Sequence, residues 1–108
     1  MIKHIKENEK RLDKIVEVIN ELEENLNIFK NMKADIENLN KYYGSKEWFK
    51  DVEEYESGKI KNVKAGVLSE DAVWNANEKI IEIAEEMKSI SETILNKNKW
   101  HYVSFYIL

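Results

Sequence analysis

LDKIVEVINELEENLNIF, residues 12–29, sets Leu12, Ile15, Ile19, Leu22, Leu26 and Phe29 at alternating steps of three and four. On an α-helix that spacing returns each side chain to the same side, so the six form one apolar stripe while charged and amide groups cover the rest of the surface. Toward the N-terminus the helical pattern extends to Ile2. In the other direction Met32, Ile36, Leu39 and Tyr43 continue the stripe after one short step, from Phe29 to Met32. The reading is a helix over residues 2–43, free of glycine and proline, on the order of 60 Å long at 1.5 Å per residue if unbroken. The short step is where overwinding or a kink is expected. A helix this long with a single apolar stripe has to bury that stripe on another helix.

The chain supplies such a partner. From Ser69 onward Val73, Ala76, Ile80, Ile83, Met87, Ile90 and Ile94 again step by three and four, predicting a helix over residues 69–97. Ser69 is a good N-cap, and Glu70 and Asp71 stand in the first turn, where the helix dipole favours negative charge. Between the two long helices lies a connector, residues 44–68, in which Ser45 caps a short helix over residues 46–56. Trp48, Val52 and Tyr55 share one face of that helix, and Gly58 ends it. The predicted fold is therefore all-α: an antiparallel, coiled-coil-like hairpin with a short helix in its connector, as a single domain over residues 1–108.

Residues 98–108 break the pattern. Trp100, Tyr102, Phe105, Tyr106, Ile107 and Leu108 belong to an uncharged aromatic run whose exposure to water is costly. They are expected to form an interface, packing on the hairpin or on a second copy, with a partner-binding tail as the alternative, and their conformation is left open.

Composition removes whole classes of function. At 108 residues only one thin core can form. A net charge of −4 with both signs interspersed argues against general nucleic-acid binding, which needs a clustered positive surface. Absence of cysteine rules out disulfides and thiolate chemistry, and suits a reducing cytoplasm. No run approaches the roughly 20 apolar residues of a membrane span, and the basic N-terminal stretch has no signal-peptide apolar core.

All three glycines and two of the three tryptophans fall within residues 42–75, which makes this the segment to search for chemistry. Its stretches Tyr42-Tyr43, Ser45, Trp48, Asp51 and then Gly66-Val67-Leu68-Ser69-Glu70-Asp71 resemble those of a family of small helical proteins from Gram-positive bacteria and their mobile elements, known only as a domain of unknown function. Val52 departs from the pattern in standing where an aromatic is expected, as does the lack of a proline after Ile60. The resemblance covers roughly residues 5–95 and implies a helical fold and a shared site, without an activity.

Two readings of the connector compete. Tyr43, Trp48 and Trp74 offer ring faces, and Lys59, Lys61 and Lys64 make the 57–67 stretch positive beside a helix N-terminus. With Asp51 and Ser69 these residues could form a site for a planar anionic ligand of nucleotide type. Alternatively, the aromatics plug the open end of a thin hairpin and the lysines are solvated. The lysines lack the glycine spacing of a phosphate loop. Ser69 has no base near it in sequence, the carboxylates have no fixed pairing, and His4 and His101 stand alone near opposite chain ends. Hence no catalytic residue, metal site or cofactor is expected. The leading expectation is a non-catalytic interaction protein that dimerises or docks on another protein. The other is a ligand-sequestering protein of a mobile element, acting against host defence signalling.

Overall fold

The computed structural model describes residues 1–96, and these are all-helical, with no strand among them. Four helices follow one another: α1 (Ile2–Lys30), α2 (Lys33–Tyr42), α3 (Lys46–Glu56) and α4 (Glu70–Leu95), with a single 3-10 turn, Gly66–Leu68, ahead of α4. The aromatic run and its six expected interface residues, Trp100 to Leu108, lie outside the described residues. No described helix is long and apolar enough to cross a membrane. Contacts divide the chain into two compact units, with the boundary between Tyr42 and Tyr43.

The first unit corrects the expectation of one helix over residues 2–43. Asn31 and Met32 interrupt it, at the short step in the apolar stripe. Here the bonding tightens: the Asn31 N–H is shared between the Asn27 carbonyl at 3.2 Å and the Ile28 carbonyl at 3.1 Å, and the Met32 N–H reaches that of Phe29 at 3.0 Å, three residues back rather than four. At about three residues per turn Met32 returns directly over Phe29, so the tight turn absorbs the missing residue and keeps the stripe in line. Four-residue bonding resumes where the Ile36 N–H meets the Met32 carbonyl at 2.9 Å.

No residue of α1 or α2 is buried. Leu12, Ile15, Ile19 and Leu22 are each more than half exposed, while Phe29 and Ile36 are half-buried. The side-chain bonds of α1 are local to the helix: the Asn8 amide donates to the His4 carbonyl at 2.8 Å, and Arg11 donates to the Asn8 side-chain oxygen at 3.0 Å.

The second unit is built on turns and caps. Gly44, at φ +80°, takes the left-handed conformation that ends α2 without strain. Ser45 then caps α3, its hydroxyl accepting the Trp48 N–H at 3.2 Å. At the other end Gly58 has φ +83°; its N–H bonds to the Tyr55 carbonyl at 3.2 Å and that of Lys59 to Glu54 at 3.0 Å, the paired bonds of a Schellman stop. Asn62 supplies a third left-handed residue in the loop that follows, a conformation asparagine tolerates better than most. Chain and caps thus lead into the 3-10 turn, which packs on both α3 and α4. Its last residue precedes Ser69, whose hydroxyl caps α4 by accepting the Ala72 N–H at 3.1 Å.

Candidate functional site

Two long-range hydrogen bonds draw the connector together. Trp48, in the first turn of α3, is 6 % exposed, and its indole N–H donates to the Val67 carbonyl at 2.9 Å, 19 residues away. Tyr43, just before Gly44, donates its hydroxyl to the Glu70 carbonyl at 2.6 Å, 27 residues away. The two rings touch edge to face, with centroids 5.3 Å apart at 73°, a geometry that sets ring edge against the negative π face. Phe49 adds a second edge contact to Trp48 at 5.0 Å and 81°. Ser69 completes the clasp by donating to the Gly66 carbonyl at 2.9 Å while capping α4, and one turn into that helix Val73 is buried, at 3 % exposure.

The Trp48 donor serves a definite purpose. A 3-10 turn leaves carbonyls without helical partners, and a buried carbonyl without a donor is costly. Trp48 supplies the donor at Val67 and brings a large apolar ring with it. The clasp therefore fixes the first turn of α3 to the start of α4 by polar bonds at its edges and aromatic area at its centre.

The expected ligand residues divide on this geometry. Tyr43, Trp48 and Ser69 are brought together, with the Trp48 and Tyr43 donors bonded to backbone carbonyls and the Ser69 hydroxyl engaged as both donor and acceptor. Asp51 is half-buried on α3. Lys59, Lys61 and Lys64 are exposed, and Trp74 is 60 % exposed on α4. A hollow of about 260 Å³ beside the end of α3 takes in Lys59 together with Lys50, Glu53, Glu54 and Ser57. Two ammonium groups and two carboxylates around one hollow leave no net pull on an anion. Among the described residues no imidazole or carboxylate is bonded to the Ser69 hydroxyl, which caps α4. Among the described residues no three histidine or carboxylate side chains gather as a metal site.

Sequence reasoning did not single out Phe49, nor the backbone carbonyls of Gly66, Val67 and Glu70 as acceptors. For Phe49 the signal was its place beside Trp48 in the first turn of α3. The carbonyls carry no side-chain signature at all.

A family model described as a domain of unknown function, DUF4298, matches residues 5–90. The chain belongs to this family. The matched span holds the whole clasp and most of both long helices, so the family's shared part includes α1 from Ile5 onward, α2, α3, the 3-10 turn and α4 as far as Ile90. Comparison with curated proteins and with solved structures returns no match.

Proposed function

We propose that this chain is a non-catalytic helical interaction protein that buries the apolar stripes of its long helices by self-association, as a homodimer. The observation that carries the reading is the α1 stripe, whose heptad-spaced Leu12, Ile15, Ile19 and Leu22 are all more than half exposed on a helix without one buried residue. At about 25 cal/mol per Å² of apolar surface, leaving such a stripe in water forgoes the main driving force open to so thin a fold. α4 adds to the demand, with Ile81, Ile83 and Ile90 exposed along its length. The clasp fits this role as a connector that fixes the start of α4, its hydrogen-bonding groups being spent on the fold.

Light scattering tests the reading. A mass near twice 12.8 kDa is expected, and Ile15→Glu with Leu22→Glu should bring it to that of one chain while Ile15→Leu leaves it doubled. A single-chain mass for the unaltered protein at high concentration contradicts the proposal.

A further inference from the structure

Resting on the self-association reading, the pattern along α1 goes further and specifies how two copies align. The stripe alone is a seam two positions wide in each heptad. Around the middle of the helix it broadens: Val16 and Val18, on either flank of the seam, are apolar and exposed beside Ile15 and Ile19. Flanking positions of a two-helix seam ordinarily carry charge, and apolar ones indicate that the helix is covered on more than one side. The broad belt runs from Leu12 to Leu22 and is centred on Glu17, one residue from the midpoint of α1.

Charge is distributed about the same point with opposite sign on its two sides. Before Glu17 stand Lys3, Lys6, Lys10, Arg11 and Lys14 against Glu7, Glu9 and Asp13; after it come Glu21, Glu23 and Glu24 against Lys30 alone. One half of α1 is thus net basic and the other net acidic. Parallel copies would set like halves together, whereas antiparallel copies set each basic half beside an acidic one, the complementarity that fixes orientation between partners.

We infer that a second copy of this chain lies antiparallel along α1, with the two-fold axis of the dimer crossing the seam at the level of Glu17. In that register Leu12 of one copy shares a layer with Leu22 of the other, Ile15 with Ile19 and Ile5 with Phe29, each apolar on apolar, while Leu26 meets Asn8 toward the ends. The contact is isologous, as a closed two-fold dimer requires. An α1 of 29 residues is about 44 Å long and presents a strip about 10 Å wide, giving roughly 400 Å² from each copy. That is about half the ~800 Å² per partner of an ordinary stable interface, and the exposed Ile81, Ile83 and Ile90 of α4 are further apolar surface on the chain.

The test uses the absence of native cysteine. Lys3, Lys10, Glu17 and Glu24 recur every seventh residue on the exposed side of α1 away from the seam, so Lys3→Cys, Lys10→Cys, Glu17→Cys and Glu24→Cys each place one spin label per chain with little effect on packing. Pulsed dipolar spectroscopy on the full chain then reads the distance between the two labels of a dimer. The axial offset between them should be about 40 Å for position 3, about 20 Å for 10, near zero for 17 and about 20 Å again for 24, giving the shortest distance at Glu17→Cys and a rise on both sides. A nearly constant distance along the series, or a minimum elsewhere, overturns the alignment while a doubled mass in light scattering leaves self-association standing. A single-chain mass with no dipolar coupling at any position overturns both.

Discussion

Residues 43–73 and helix α1 solve the problem of a thin core in opposite ways. The first stretch, only about as long as α1, holds the two buried hydrophobic residues among those described, Trp48 and Val73, and is tied by side-chain hydrogen bonds reaching 19 and 27 residues along the chain. α1 has 29 residues, no burial, and side-chain bonds confined to neighbours three and four apart. Helix propagation by itself is marginal in water, so a long helix with an apolar stripe draws its stability from whatever covers the stripe. The contrast separates the two by where their stability comes from: the clasp from within and, on the self-association proposed above, α1 from outside.

The strongest blow to the first half of that comparison is Trp48→Ala, which removes the central ring and leaves the Val67 carbonyl without its donor. A loss of about 3–5 kcal/mol is expected, read as denaturant unfolding of α3 by residue-resolved NMR; a loss under about 1 kcal/mol would show that the ring is not the anchor. In α1, Leu22→Ala should cost about 2–5 kcal/mol in the assembled protein and much less after dilution below the assembly range, since the cost arises only where the side chain is covered. Equal cost at both concentrations would remove the distinction between the two regions. Ser69→Ala should cost about 1 kcal/mol by stripping the cap from α4, detected as a lower thermal midpoint with helix content retained. Tyr43→Phe keeps the ring against Trp48 and removes only the bond to Glu70, at about 0.5–1.5 kcal/mol. Smallest of all is Lys79→Ala, breaking an exposed pair with Glu82 at 3.4 Å, for which a change under about 0.5 kcal/mol is expected.

What was legible in the sequence follows the same division. Local rules found Ser45 and Ser69 as caps and Gly58 as a stop because each acts within three or four residues of itself. The stripe of α1 was legible for the same reason, and even its break was foreshadowed, the Phe29 to Met32 step being one residue too short for an unbroken heptad. The clasp was not legible as a whole. Tyr43 and Trp48 stood out by type, but the acceptors at Glu70 and Val67 are backbone atoms far along the chain, and no periodicity points to them. The 3-10 turn at Gly66–Leu68 was missed because three residues carry no recurring pattern. Trp74 singled itself out by size, and its exposed position on α4 has no partner in the clasp that would explain it.

Hydrogen exchange along a dilution series tests the central claim most directly. Amides of α3 and the first turns of α4 should keep the same protection at every concentration, while those of α1 around Ile15, Val18 and Leu22 lose protection as the protein is diluted. If α1 stays as protected in dilute single chains as in concentrated solution, the chain covers its own stripe, and self-association is not what holds the long helix.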